Sequence, residues 1–342
     1  MTAGRTLHVR LAGIAIGMVL LSMRSAAAQG ALPDCTVTPA IAGSAADVCR
    51  KASDLFAFVV PQIGVALAAG NHVLGEGGTL GGWGKRTVTL RLNAVHGRVP
   101  KSTIPLTLTR AAAVSDDFGN TRVAVPMPSL DAAVGLLTGF PLGVTNVGGV
   151  DLLVGVIGSP RISSGAFTLR PQGTGFALSY GARVGVLQES AFVPGLSVSW
   201  LRRKVPTLDL DYAPSNDTLE ARNMSLTANT LRVVASKRFL FFGVAAGIGR
   251  DEIEGVSGLH AVVNESVQGM PARVSVTFPT LRDKVIRNTA FVNASFGLPI
   301  ARVVAEYGRS GKGAVRETLN TFGGRRTNDA YAYGSLGVTV RF

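Results

Sequence analysis

The feature of this sequence that most restricts its fold is an alternation of apolar and other residues with a period of two. In the last twelve residues one face carries Ala332, Gly334, Leu336, Val338, Val340 and Phe342, and the other carries Tyr331, Tyr333, Ser335, Gly337, Thr339 and Arg341. The same split recurs in residues 175–187 and 288–298. An extended strand places successive side chains on opposite faces, so the alternation predicts β-structure.

Further segments follow the same pattern and bring the predicted strands to twelve. They are residues 62–70, 86–95, 102–109, 148–157, 195–204, 223–237, 239–249, 271–278 and 301–309. Two weaker candidates, residues 121–127 and 258–264, raise the count to fourteen. The sequence therefore predicts an all-β chain of about 12–14 antiparallel strands, with a short N-terminal helical segment.

Composition narrows the class of all-β protein. Charged residues make up only 16% of the 342 residues and the mean hydropathy is +0.31, yet no run beyond residue 28 is long enough for a spanning helix. A soluble sandwich or barrel is the alternative. It is disfavoured because the polar faces hold small residues and Arg rather than a dense Lys and Glu mixture. The strands also have the length that crosses a bilayer at a tilt, and only a closed barrel pairs every strand edge in hydrocarbon.

The first 28 residues differ from the rest. Arg5 and Arg10 precede an apolar run over residues 11–23, and small residues end at Ala28. This pattern predicts a cleaved secretory signal peptide over residues 1–28 and hence an exported protein; a membrane anchor is the alternative.

Residues 29–60 form the next predicted unit, a periplasmic or plug segment ahead of a barrel over residues 61–342. Cys35 and Cys49 are the two cysteines of the chain, and in an exported protein we expect them to form a disulfide. A metal site is the weaker alternative because no His is near. A helix is expected from Ser44 to about Phe58, ended by Pro61.

The terminal run Tyr333 to Phe342 resembles the C-terminal strand of Gram-negative outer-membrane β-barrel proteins. That family ends its last strand on Phe, with apolar residues at alternate positions before it. The resemblance implies an assembly signal (Tyr333, Leu336, Val338, Val340 and Phe342), insertion by the barrel-assembly machinery, and location in the outer membrane among its lipids. An N-terminal segment before about 14 strands is also similar in architecture to the long-chain fatty acid transporter family.

Several charged residues lie opposite the apolar faces of their strands and are candidates for lining a barrel lumen. They are Arg91, Arg183, Arg273, Arg302, Glu306 and Arg341. Lumen arginines would favour anionic or polar solutes; alternatively, arginines lie at the rims and meet lipid phosphates, or Arg302 and Glu306 brace the wall.

No catalytic, metal or cofactor motif accompanies these residues. His72, His96 and His260 are far apart in sequence, so we expect no enzyme, no cofactor and no metal. The net charge of +13 without an aromatic-studded basic patch does not predict nucleic-acid binding. The glycine-rich run over residues 75–84 matches no phosphate-binding pattern and predicts a connection or a closely packed segment, with Trp83 at the membrane interface.

The sequence therefore predicts a single outer-membrane barrel with short turns at the periplasm and longer outward segments at 110–121, 205–222 and 310–330. The expected function is passive passage of an unidentified small solute, polar or anionic, or hydrophobic if residues 29–60 plug the lumen. The alternative is a non-conducting structural or surface-binding barrel.

Overall fold

The computed structural model describes residues 46–101, 104, 106, 113–213, 216–267, 270–298 and 300–342. The predicted signal peptide and Cys35 lie outside these residues. The described chain begins with one helix, α1 (Ala46–Ala68), followed by fifteen strands. They are β1 (Arg86–Val99), β2 (Thr121–Leu137), β3 (Phe140–Leu142), β4 (Thr145–Val147), β5 (Val150–Gly158), β6 (Ile162–Ser164), β7 (Phe167–Pro171), β8 (Phe176–Leu187), β9 (Gly195–Lys204), β10 (Leu208–Tyr212), β11 (Thr218–Phe239), β12 (Phe242–Val267), β13 (Met270–Gly297), β14 (Arg302–Ser310) and β15 (Tyr331–Arg341).

Ten of these strands pair into a closed antiparallel ring. The order is β1, β2, β5, β8, β9, β11, β12, β13, β14 and β15, and β15 pairs back onto β1 from Thr87↔Arg341 to Val95↔Tyr333. Strands β10, β7 and β6 extend the sheet from one end of β11, and β3 and β4 form a separate hairpin. The fold is therefore a closed β-barrel, as the alternation predicts.

The main sheet of the described chain has thirteen strands, within the predicted 12–14, but only ten of them close the ring. Candidate strands 271–278 and 288–298 are both parts of β13, which has 28 residues, and candidate 258–264 belongs to β12, which has 26. Candidate 102–109 lies mostly outside the described residues. A strand that continues beyond the membrane keeps its alternation, so periodicity does not mark where the membrane ends.

The candidate strand at 62–70 is also wrong, because these residues belong to α1 as far as Ala68. Pro61 lies inside this helix rather than at its end. Proline in a helix interior costs about 3 kcal/mol. Surrounding strands bury nearly every residue of the helix, and this packing overrides the local preference.

The outer face of the barrel is apolar. Exposed side chains include Leu90 (64%), Leu178 (71%) and Val292 (57%) on strands β1, β8 and β13. Their neighbours in each strand are buried in the interior, so the two faces separate as the sequence predicts. An apolar exterior on a closed ring is the arrangement of a transmembrane β-barrel.

The two ends of the barrel differ. One end carries short turns at 188–194, 240–241 and 298–301 and the connection 138–149; the other carries the connections 100–120, 159–175, 205–217 and 311–330 and the tip of the β12–β13 hairpin. We call these the short-turn end and the long-loop end. The segments predicted to face outward all lie at the long-loop end.

Candidate functional site

Residues 46–85, which we call the plug, occupy the barrel lumen. Helix α1 contacts β1, β2, β9, β11, β12, β13 and β15, strands from around the ring. Within the described residues it is the one helix long and apolar enough to cross a membrane, so the expectation that no such run follows residue 28 is wrong; its apolar window is entirely buried inside the barrel. At 23 residues it is about 35 Å long, so wall contacts extend over a distance comparable to the bilayer core.

Three buried arginines from three strands bind the carbonyl groups at the C-terminal end of α1. Arg203 donates from Nη1 to Leu67 O at 3.0 Å and Ala69 O at 3.3 Å. Arg232 donates from Nη2 to Ala68 O at 2.8 Å and from Nε to Gly70 O at 3.2 Å. Arg91 donates from Nη2 to Asn71 O at 2.7 Å. The last carbonyl groups of a helix have no intrahelical hydrogen-bond donor and carry partial negative charge. Arginines at this end supply both the donors and the positive charge.

Wall carboxylates balance these arginines. Asp131 lies 3.4 Å from Arg91 Nε and 3.7 Å from Arg203 Nη2, and Asp251 lies 2.5 Å from Arg232 Nη1. All five side chains are buried. Buried charges are tolerated when they are paired and hydrogen-bonded, and this network therefore depends on the plug carbonyls as well as on the carboxylates.

Gly70 makes the change of direction after α1 possible. Its φ is +79°, in the left-handed region that favours glycine. A Cβ at this position would lie 1.8 Å from Glu306 Oε1. Glu306 Oε2 accepts the backbone N–H of Asn71 at 3.0 Å. A side chain at position 70 would therefore have to displace the carboxylate of Glu306 from its hydrogen bond with the plug backbone.

A second ionic cluster fixes the plug nearer the short-turn end. Asp151 accepts the backbone N–H of Leu80 at 3.1 Å and the Nη2 of Arg183 at 2.6 Å. Glu76 of the plug lies within 4 Å of Arg183, Arg302 and Arg341. The glycine-rich run 75–84 thus belongs to the lumen filling.

The glycines of this run permit close backbone approach to the wall. A Cβ on Gly77 would lie 2.5 Å from the backbone nitrogen of Ser236, and one on Gly82 would lie 2.1 Å from Thr138 Oγ1. Trp83 is 82% exposed.

The long-loop end folds over the other end of α1. Asp54, on the helix, accepts the backbone N–H groups of Leu319 and Asn320, each at 2.9 Å, and pairs with Arg316 at 3.4 Å. Phe58 stacks on Phe322 with ring centroids 4.1 Å apart. The connection 311–330 therefore forms a cover on the plug.

Two pKa values in these loops are shifted. The backbone N–H groups of Gly323 and Gly119 donate to Asp117 and hold the pKa of that carboxyl below its usual value. Burial lowers the pKa of Arg316, against the opposing effect of Asp283 and Asp54. Asp117 is therefore an anion that binds two loops together, and Arg316 is a partly desolvated cation.

The residues predicted to face the lumen have different positions. Arg91, Arg183 and Glu306 are buried and touch the plug, whereas Arg302 and Arg341 are partly exposed and lie near Glu76. Arg273 is not a lumen residue: it is exposed near the tip of the β12–β13 hairpin, where it pairs with Asn264. The register of the β12–β13 ladder shifts between Ser257 and Leu259, which reverses the phase of β13, so Val276 and Phe278 face the interior there and Arg273 faces outward.

In the terminal strand, Tyr333 is buried in the interior, while Leu336, Val338 and Phe342 are exposed and Val340 is intermediate. Cys49 is buried in α1; because Cys35 lies outside the described residues, the disulfide stays a prediction.

The sequence reasoning missed most of the polar lumen. Six buried charged residues were not among the predicted lumen residues: Asp131, Asp151, Arg203, Arg232, Asp251 and Arg287. A usable signal was present, since each lies opposite the exposed apolar residues of its strand. Asp151, Arg203 and Arg232 bind the plug, Asp131 and Asp251 pair with plug-binding arginines, and Arg287 binds the 311–330 connection; none of these contacts had a counterpart in the sequence.

His72 of the plug lies beside a serine. Its Nδ1 is 2.9 Å from Ser199 Oγ and its Nε2 is 2.6 Å from Thr230 Oγ1, and Thr230 itself donates to Leu201 O. Thr230 therefore accepts from Nε2–H, and Nδ1 accepts from Ser199. The pair is buried, and neither residue lines the cavities at the barrel surface.

No group of three His, Cys, Asp or Glu that could hold a metal ion occurs within the described residues.

Comparison with known proteins gives matches at the level of solved structures alone. No family model matches the sequence, and no curated protein matches it. The outer membrane protease OmpT from Escherichia coli is 9% identical, with a TM-score of 0.37, over 75% of this chain and 96% of that one. The transport unit of the autotransporter AIDA-I from Escherichia coli is 8% identical, with a TM-score of 0.36, over 86% and 99%. Neisserial surface protein A is 9% identical, with a TM-score of 0.29, over 76% and 97%.

The barrel assignment rests on the strand pairing of the chain itself. The likeness to the long-chain fatty acid transporter family is not confirmed, and the ten-stranded ring removes the strand count on which it rested.

Proposed function

We propose that this chain is an outer-membrane barrel closed by its own N-terminal plug, non-conducting at rest, and acting as a surface-binding protein through its long-loop end. The observation that carries the proposal is the binding of plug carbonyl groups, at and just after the C-terminal end of α1, by Arg91, Arg203 and Arg232 inside the ring. A solute would have to displace a segment that is anchored along its length.

The size of the ring supports a closed lumen. Eight-stranded barrels are filled by their own side chains, and 16-stranded porins leave an aqueous channel. Ten strands are close to the smaller limit, and here a helix occupies the added space.

The long-loop end supports the binding role. Strands β11, β12 and β13 have 22, 26 and 28 residues, whereas about 10 tilted residues cross the hydrocarbon core. Their excess length, extended by β10 and β7 alongside β11, forms a sheet beyond the membrane that has room for a partner.

Planar-bilayer recording of the refolded chain without residues 1–28 tests this proposal. We expect no discrete conductance steps, while a porin reconstituted in the same bilayer gives them. Heat-modifiable gel mobility establishes that the recorded protein is a folded barrel. Discrete conductance steps from this chain, without any substitution, would refute a closed resting state.

A second candidate, gated passage of a small solute, is favoured by the polar contacts that plug residues 67–80 make with the wall. These hydrogen bonds and ion pairs can be exchanged for hydrogen bonds to water. Under gating, replacing three plug-binding arginines by glutamine should produce conductance. The test variant replaces Arg91, Arg203 and Arg232. The matched control replaces three exposed arginines, Arg161, Arg273 and Arg282. Silence of the folded test variant would remove gated passage.

We also propose that the chain is not an enzyme, although Ser199 and His72 are in contact. A hydrolase needs a substrate beside its serine and a group that stabilises the oxyanion. The buried, plug-covered position argues against substrate access. Ester hydrolysis that disappears in a folded Ser199→Ala variant would overturn this.

Assembly by the barrel machinery is proposed from β15. Leu336 and Val338 face outward beside the terminal Phe342, available to a recognition partner before the ring closes. Deleting Phe342 should lower the amount of chain assembled in the outer membrane, measured as the heat-modifiable fraction, and replacing exposed Leu240 in a turn by Ala should not.

A further inference from the structure

A basic cavity lies on the outer face of the barrel close to the long-loop end. Arg98 of β1, Arg122 of β2 and Arg325 of the 311–330 connection line it, together with His96, and its volume is about 580 Å³. Arg98 and His96 are on the outward face of β1, because the intervening Gly97 and the flanking Val95 and Val99 are buried. The cavity is thus separate from the plugged lumen.

The arginines of this cavity are poorly balanced by carboxylates. Arg98 and Arg122 are direct cross-strand partners in the β1–β2 ladder. Like charges directly opposite each other destabilise an antiparallel pair. In the described part of the chain neither has a carboxylate at ion-pair distance; Arg98 donates to Asn120 Oδ1 at 2.7 Å, and Arg325 pairs with Asp329 at 3.1 Å. An anion between the guanidinium groups would turn this repulsion into a binding site.

The cavity lies where the apolar band ends. On the outward face of β1, Leu90 (64% exposed) and Leu92 (49%) lead up to His96 and Arg98. On β15, Leu336 and Val338 are exposed on the side toward the short-turn end. A ligand with an anionic head and an apolar tail fits this surface, because its tail would lie along the apolar band and its head would lie in the basic cavity.

We propose that this cavity binds the phosphate-bearing headgroup of an anionic lipid in the membrane leaflet at the long-loop end. Guanidinium groups bind phosphate oxygens through paired, charge-assisted hydrogen bonds. Two or three of them converging on one site favour a headgroup with net negative charge over a zwitterionic one, whose phosphate is balanced by its own cation. The site is independent of conductance, because it lies on the outside of the ring.

Native mass spectrometry of the full chain without its signal peptide, in an uncharged detergent, tests the proposal. The probes are phosphatidic acid and phosphatidylcholine of the same acyl composition. We expect phosphatidic acid to bind at least tenfold more tightly, and the Arg98→Gln/Arg122→Gln variant to lose that preference. The control variant Arg273→Gln/Arg282→Gln removes the same charge from β13, three strands from β1 in the ring, and should keep the preference.

Two results would overturn the proposal: equal binding of both lipids, or loss of preference in the control variant as well. Inorganic phosphate added alone distinguishes the source of the anion. If phosphate displaces the lipid at equal concentration, the site is one for free phosphate and the lipid assignment fails.

A stability measurement excludes a purely structural role for the arginines. Because Arg122 faces a like charge, Arg122→Gln should leave the melting temperature in lipid-free detergent unchanged or raise it. A fall in melting temperature in the absence of lipid would show that the arginines support the fold rather than a ligand.

Discussion

Replacing Arg232 by methionine should destabilise the barrel strongly, and the structure gives the size of the effect. The guanidinium group is fully buried, pairs with Asp251 at 2.5 Å and donates to Ala68 O and Gly70 O. Methionine fills much of the space but supplies no donor. Removing one partner of a buried ion pair costs about 3–5 kcal/mol.

A second substitution separates the two parts of this cost. In Arg232→Met the carboxylate of Asp251 keeps one hydroxyl donor, Thr289, at 2.5 Å, but loses its ion pair with Arg232. Adding Asp251→Asn removes that charge, so the double variant should regain part of the loss. What remains is the cost of plug carbonyls without donors, about 1–3 kcal/mol for a buried group.

Equilibrium unfolding in guanidinium chloride, followed by tryptophan fluorescence of the refolded chain in micelles, measures both variants. The exposed pair of Arg282 and Glu254, 3.5 Å apart, is the matched control, and Arg282→Met should cost less than about 1 kcal/mol. If Arg232→Met costs no more than this control, or if Asp251→Asn worsens it, the arginine network does not hold the plug.

Three further predictions concern the plug and its cover. Asp54→Asn weakens the acceptor for two backbone N–H groups, so trypsin should cut within 311–330 faster while heat-modifiable mobility is kept; an unchanged cleavage rate would contradict the cover. Gly70→Ala should lower the unfolding free energy by more than Gly165→Ala, since both have positive φ but a Cβ at Gly165 meets nothing within 4 Å; equal losses in chemical unfolding would contradict the close approach of the wall. His72→Gln should cost about 1–2 kcal/mol through its hydrogen bonds, and a larger loss by the same measurement would indicate an additional role.

Part of the candidate site was predictable from the sequence. The phase of the alternation placed Arg91, Arg183 and Glu306 on the interior face, because a strand leaves a side chain only two directions. The same rule applied to Arg203 and Arg232 would have found them. It failed for Arg273, because a register shift in the β12–β13 ladder reverses the phase of the strand and places the apolar Val276 and Phe278 on the inner face.

The helix was the least predictable element. Pro61 is a strong local signal for a helix end, and residues 62–70 are short and apolar enough for a strand. The barrel wall explains why these residues are helical. Inside a ring whose strands are fully paired, no strand edge is free to pair with residues 62–70, whereas a helix satisfies its backbone hydrogen bonds internally.

The sequence by itself determined the class of fold, because period-two alternation with few charges is a local property that only a two-faced sheet in contact with lipid satisfies. The tertiary structure decided the ring of ten strands, the helical plug and the meeting of Arg91, Arg203 and Arg232 at its end. These depend on which strands pair and on what fills the space they enclose. The contacts of Arg203 and Arg232 with the plug join residues more than a hundred positions apart, and no local pattern records them.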